Sequence, residues 1–236
     1  SVIDPEGCPQ EPAWQINAVR VVHDPVRHRI SYQGASLNLF GTPIIALPGL
    51  SHPDGSQGGG SGILVPEVRI DRENGFEINV PYYLRLAPNR DATITPHVYT
   101  DVVPMLEAEY RQLTSLGAFQ LRGFITYGSR RPIDQPELPL NEGVRAYIEG
   151  NGRFQLSPAW TITAAGRYVT DRTFLRRYDI SRDDRLRSMV DAERITPNSY
   201  ISISGWAFQG LRIADFNRPQ PIALPAIEAR WRVDGP

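Results

Sequence analysis

The sequence predicts an all-β chain, and three observations carry that expectation. Apolar and polar residues alternate with a period of two over stretches of about ten residues, the pattern of strands with one greasy and one wet face. Turn formers punctuate those stretches, with 21 prolines and 20 glycines in 236 residues. No segment carries the longer period of an extended helix.

Phe76 to Pro96 shows the pattern most clearly. Phe76, Ile78, Val80, Tyr82, Leu84 and Leu86 share one parity, while Glu77, Asn79, Tyr83 and Arg85 share the other. Ala92, Ile94, Pro96 and Val98 then alternate with Thr93, Thr95, His97 and Tyr99. The join Ala87-Pro88-Asn89-Arg90-Asp91 is built from turn residues, so a hairpin is expected. Pro81 and Pro96 interrupt it. Proline lacks the N–H that a sheet ladder uses and is confined to strand edges and bulges.

Beyond this hairpin, strands are expected near 75–86, 91–100, 104–113, 117–128, 143–156, 158–169, 185–196, 199–209 and 221–232. Phe119, Leu121, Ile125 and Tyr127 oppose Gln120, Arg122 and Thr126. Trp160, Ile162, Ala164 and Tyr168 oppose Thr161, Thr163 and Arg167. Leu84, Ile94, Ile125 and Ile162 are expected to face outward from a single antiparallel meander. Strands of about ten residues exceed the five or six usual in soluble sandwiches and suit a tilted membrane strand. Connections alternate in size: short near Pro88-Asn89, Ser115-Leu116 and Ser157-Pro158, long over 129–142 and 171–184. Outer-membrane barrels place their long loops outside the cell and their short turns in the periplasm.

No run of about 18 apolar residues exists, which excludes a transmembrane helix but not a barrel strand. The first residues show no charged segment followed by an apolar one, so no signal peptide is read there. All 25 basic residues are arginine, and the net charge of −1 lacks the clustered positive excess of a nucleic-acid footprint. Residues 13–22, 28–40 and 42–47 read as three strands, too few to close a core. The stretch His52 to Gly62, with Gly55, Gly58, Gly59, Gly60 and Gly62, reads as a flexible linker. No lysine or helix follows it, as a phosphate-cradling loop requires.

The runs Val80-Pro81-Tyr82-Tyr83, Leu86-Ala87-Pro88-Asn89 and Asp91-Ala92-Thr93-Ile94-Thr95-Pro96 carry a resemblance. They resemble the opening of the barrel in the LPS-assembly outer-membrane proteins, the LptD, OstA or Imp family. Cys8-Pro9, Trp14 and the Thr42-to-Pro48 run resemble the end of that family's periplasmic domain. Ser61 to Pro66 resembles its lead into the barrel, and Met105 to Arg111 its third strand.

The resemblance implies three parts. Residues 1–50 would end a periplasmic β-jellyroll, 51–73 would be linker and lead-in, and 74–236 would begin an antiparallel transmembrane β-barrel, here incomplete. It implies transport of lipopolysaccharide into the outer leaflet through a laterally opening barrel, with no cofactor. The implied location is the outer membrane of a Gram-negative bacterium, the N-terminal part lying in the periplasm. Implied partners are lipopolysaccharide, an LptE-like lipoprotein plug, an LptA-like periplasmic bridge protein, the barrel-assembly machinery and membrane lipid.

Candidate site residues follow. Pro81 and Pro96 mark a seam with fewer ladder hydrogen bonds, a lateral gate if the resemblance holds and edge protection otherwise. Arg85, His97, Glu107, Glu109, Arg111 and Arg122 are expected to face a polar lumen. Cys8 has no partner cysteine in this sequence. It is either a small buried hydrophobe or one half of a disulfide with a segment elsewhere, as the resemblance implies. Glu107 and Glu109 form a carboxylate pair, but nothing in the sequence encloses them as a general acid requires. The histidines lack metal-ligand spacing. No enzyme is expected. Two rival readings are a pore for small solutes and a soluble β-sandwich that binds sugar.

Overall fold

The computed structural model describes residues 14–39, 41–47, 50–54, 60–72, 74–130, 141–212 and 222–232. Their contacts divide the chain into two units, Ser1–Leu64 with Tyr82–Arg85, and Val65–Pro81 with Leu86–Pro236.

The first unit contains β1 (Trp14–Asn17), β2 (Arg20–Asp24), β3 (Arg29–Gln33), β4 (Ala35–Leu39), β5 (Thr42–Leu47), β6 (Ser51–Pro53) and β7 (Gly62–Ile63). Six of these form two small antiparallel sheets, ordered β1-β4-β5 and β2-β3-β6. The expected strands 13–22 and 28–40 each divide in two. Gly34 divides the second, at a φ of 61° that side-chain-bearing residues rarely adopt. The β2–β3 turn is closed by Asp24, whose Oδ1 accepts the N–H groups of Val26 and Arg27 at 3.0 Å each. The expected linker begins and ends inside strands, with His52 in β6 and Gly62 in β7. Gly60 lies between strands, whereas Gly55, Gly58, Gly59 and Cys8 fall outside the described residues.

The second unit opens with β8 (Glu67–Asp71) and β9 (Gly75–Asn79). After β10 (Tyr82–Ala87) come β11 (Arg90–Tyr99), β12 (Met105–Leu113), β13 (Gly117–Arg130), β14 (Asn141–Gln155) and β15 (Trp160–Val169). A one-turn helix α1 (Phe174–Arg177) precedes β16 (Arg185–Thr196), β17 (Ser199–Gly210) and β18 (Ala223–Trp231). From β11 to β18 each strand pairs antiparallel with the next, an unbroken meander. The expected strand limits from residue 90 onward agree within two residues. In a meander, alternate connections lie at opposite ends, so 100–104, 170–184 and Leu211 share one end and the tight turns share the other. The short turns are locally specified: Thr114 Oγ1 donates to the Gly117 carbonyl at 2.9 Å, and Ser157 Oγ accepts the Trp160 N–H at 3.1 Å.

The expected strand 75–86 does not run through. It breaks at Val80-Pro81, and its halves take different partners. β9 pairs with β8 and with the far end of β11, through His97↔Asn79, Val98↔Ile78 and Tyr99↔Glu77. The first half of β10 belongs to the first unit, where Tyr82 pairs with Ile63 and Tyr83 with Gly62. Pro81 therefore sits in the break, not within a strand. Pro96 lies inside β11 opposite Leu106, one residue before the β9 ladder begins. Both prolines fall where the edge of the sheet changes partner.

The apolar core of the second unit gathers at the long-connection end. Tyr99, Met105, Phe124, Tyr147, Val169, Leu186 and Leu211 pack there with Phe174, Leu175 and Tyr178 from the loop after β15. Phe174 and Leu175 are fully buried. The 171–184 connection, expected only as a long loop, folds back and buries Phe174, Leu175 and Tyr178.

Candidate functional site: the polar face of the meander

Strand pairing lines up side chains across the meander, because residues opposite one another in an antiparallel register share a face. One set runs Ile94, Ala108, Gly123, Ile148 and Tyr168 from β11 to β15, with Leu106 and Ile125 alongside. These residues point away from the core. Ile125 is 48% exposed, Ile148 53% and Tyr168 58%. Val190, Ile203 and Ile227 continue the apolar band across β16 to β18. Ile94 and Ile125 are exposed as expected, whereas Ile162 is half-buried on the same face.

The opposite face is charged. His97 is buried between two carboxylates, with Nδ1 2.8 Å from Glu77 Oε1 and Nε2 2.9 Å from Glu107 Oε2. Arg122 Nε donates to Glu107 Oε1 at 2.6 Å and its guanidinium lies 3.9 Å from Glu149. The Tyr147 hydroxyl donates to Glu149 at 2.7 Å, and Arg167 Nε donates to the Tyr147 hydroxyl at 2.7 Å. Arg167 then reaches Asp183 of the long loop at 2.7 Å. The chain of contacts crosses β9, β11, β12, β13, β14 and β15, one charged or polar residue handing on to the next. Low-dielectric surroundings make an unpaired member of such a network costly, so full pairing is what allows the face to stay charged.

Of the residues expected on this face, His97, Glu107, Glu109, Arg111 and Arg122 share it. Arg111 Nε donates to Asp91 at 2.8 Å and lies 3.7 Å from Glu109. Arg85 belongs to the first unit, where its backbone N–H donates to Ser61 Oγ at 2.8 Å. Glu77 and Arg167, which alternation places on the polar parity but not among the lumen candidates, complete the network with Glu149. The parity of Glu149, opposite Arg122, carries the same signal.

The loop after β15 is fastened by a second buried group. Arg145 Nε and Nη2 donate to the two Asp171 oxygens at 2.7 and 3.1 Å, and Nη2 also donates to Thr173 Oγ1 at 3.0 Å. Both side chains are under a tenth exposed. Thr173 donates its hydroxyl to Asp171 at 2.7 Å and its N–H at 3.1 Å, closing the turn that starts α1. Burial alone would raise the Asp171 carboxyl, but the bonds from Arg145 and Thr173 outweigh it and hold the group below the usual carboxylate range. The Arg145 guanidinium lies 5.5 Å from the Phe174 ring centre and 5.9 Å from that of Tyr178. Hydrogen bonding from Arg167 and Ser181 likewise lowers Asp183. The sequence signal was available: Phe174, Leu175 and Tyr178 make the apolar face of one helical turn, hidden among arginines.

A long-stranded antiparallel meander with apolar side chains outward and a paired charged network inward has the pattern of a barrel wall that meets hydrocarbon on one side and water on the other. Comparison with known proteins agrees in kind. A sequence profile described as LptD, LPS transport system D, matches residues 143–236. The LPS-assembly protein LptD of Psychrobacter cryohalolentis is 41% identical over 106 residues, covering 45% of this chain and 10% of that protein. The Acinetobacter baumannii protein of the same name is 30% identical over 177 residues, 74% of this chain and 20% of its own length. That of Actinobacillus pleuropneumoniae serotype 5b is 27% identical over 205 residues, 85% of this chain and 26% of its own. The chain belongs to the LptD family, and it spans about a quarter or less of the length of these relatives.

Proposed function

We propose that residues 74–236 form part of the wall of an outer-membrane β-barrel that passes lipopolysaccharide to the outer leaflet. Residues 1–50 end a periplasmic domain in this reading, and residues 51–73 lead from it into the barrel. The observation that carries it is the two-faced sheet: an exposed apolar band from Ile94 to Ile227 on one side and the Glu77-to-Asp183 network on the other. Lipopolysaccharide has a large hydrated sugar portion and acyl chains that avoid water. A barrel that opens sideways lets each part travel in its own solvent. The long-connection end faces the cell exterior in this reading, and the tight turns face the periplasm. A lipoprotein plug, a periplasmic bridge protein and the barrel-assembly machinery are the partners this reading requires. Depleting the full-length protein should lower surface lipopolysaccharide, and restoring it should recover the surface pool. Unchanged surface lipopolysaccharide on depletion would reject the reading.

Pro81 and Pro96 are the proposed gate. Two missing N–H donors fall together where β9 ends and the sheet edge changes partner. Alanine at both positions restores those donors, so the edge gains ladder bonds worth roughly 1–2 kcal/mol in the closed state, at about 1 kcal/mol for each net bond. Surface lipopolysaccharide is expected to fall in cells carrying only the double variant, with heat-modifiable barrel folding retained. Normal export by a normally folded variant would leave the prolines as protection of a sheet edge.

A further inference from the structure

A cavity of about 740 Å³ lies at the long-connection end of the second unit, apart from the His97 network. Arg69, Ile70, Asp71 and Arg72 line one side, and Arg176, Asp179 and Arg182 line the other. The first group comes from β8 and the turn that follows it, the second from α1 and the residues after it. Among the described residues, four guanidinium groups therefore face two carboxylates, an excess of positive charge.

The two sides are held in place. Arg177 Nη1 donates to Asn74 Oδ1 at 2.9 Å, joining the loop to the β8–β9 turn. Asp179, at a left-handed φ of 50°, turns the chain back directly after the helix. The Ile180 N–H donates to the Leu175 carbonyl at 2.8 Å, and buried Phe174 and Leu175 anchor the turn from beneath. Asp179 is paired loosely within the cavity, 3.8 Å from Arg69 and 3.4 Å from Arg182. Arg176 hydrogen-bonds Asp184, whose carboxyl is lowered chiefly by Arg212. Each guanidinium carries five N–H donors in a planar fork, more than contacts of this kind use.

We infer that this cavity is a binding site for phosphate groups on a saccharide headgroup. Arginine forks match the oxygen geometry of phosphate and bind it through charge-assisted pairs. A volume of this size holds a phosphorylated sugar rather than a single ion, and sugar hydroxyls suit its carboxylates. The inference rests on the proposed function in one respect: the phosphorylated saccharide is the headgroup of lipopolysaccharide, met at the exterior end of the barrel. The site would hold the headgroup as it reaches the outer leaflet.

The test uses the full-length protein and three probes: lipopolysaccharide, the same lipopolysaccharide after phosphatase treatment, and inorganic phosphate. The paired variant Arg72→Gln and Arg182→Gln removes two exposed cavity side chains that lie outside the core and the His97 network. Binding of the phosphorylated form should weaken about tenfold, as loss of charge-assisted pairing predicts, and the wild-type preference for it should vanish. Added salt should weaken wild-type binding more than binding by the variant. Equal binding of the phosphorylated form by wild type and variant would overturn the inference while leaving the transport reading intact. Inorganic phosphate binding as tightly as lipopolysaccharide would make this a free-phosphate site and overturn the headgroup assignment. If the wild type binds neither lipopolysaccharide form, the transport reading fails and this inference with it.

Discussion

Replacing Asp171 with alanine is expected to release the loop between β15 and β16. Arg145 would then stay buried without its carboxylate, and breaking a buried pair by removing one partner costs about 3–5 kcal/mol. Asp171 also closes the turn before α1 through Thr173, so the loss reaches Phe174 and Leu175. Trypsin should cleave the full-length variant after Arg176 and Arg177 far faster than the wild type. Hydrogen exchange should quicken at the Ile180 N–H, which is bonded to Leu175. Replacing both partners, Arg145→Met with Asp171→Ala, should recover part of the loss, since no charge is left stranded. Unchanged protection in the single variant would show that apolar packing alone holds the loop. Acid should act in the same direction. The folded-state carboxyl of Asp171 is lowered, so its contribution is complete above the ordinary value of about 3.9 and is lost as pH falls below it.

Arginine at Ile148 should produce the second large effect. Ile148 stands at the centre of β14, 53% exposed on the apolar face. On a soluble sheet, a polar residue at such an exposed site changes stability by only about 0.5 kcal/mol. On a barrel wall at the bilayer midplane, arginine costs about 2–4 kcal/mol. Urea titration of the full-length protein folded into lipid vesicles distinguishes the two. A shift under about 0.5 kcal/mol would remove the membrane face from the proposal. The same substitution at Glu149, one residue along and on the opposite face, would test a different property, because there it breaks the bond from Tyr147.

The strands from β11 onward were legible because their information is local. Alternation fixes the faces, and Thr114 and Ser157 specify the turns beside them. Thr114, for example, donates from its hydroxyl to the Gly117 carbonyl three residues on, at 2.9 Å. The polar face was legible for the same reason, and His97, Glu107 and Arg122 follow from parity alone. What the sequence concealed depends on distant partners. Phe76 to Leu86 keeps one alternation through Pro81, so nothing local reveals that β9 turns to β11 while Tyr82 and Tyr83 turn to β7. The 171–184 loop is dominated by charge, and its fold depends on Arg145, 26 residues before Asp171. The proline at the break was visible, but the exchange of partners around it was not.

The bond between Arg177 and Asn74 joins positions 103 residues apart. Between its ends the meander runs from β9 through β11, β12, β13 and β14 to β15. The loop therefore acts as a chord drawn across an arc. Flattening the arc would lengthen the distance that this chord spans, so the sheet cannot straighten there without releasing Asn74. Beyond β15 the ties span fewer strands: Gln209 of β17 exchanges bonds with the Val169 backbone at 3.0 and 2.8 Å, and Arg172 donates to the Arg212 carbonyl at 3.4 Å, so bending there is resisted over two strands rather than over the whole arc.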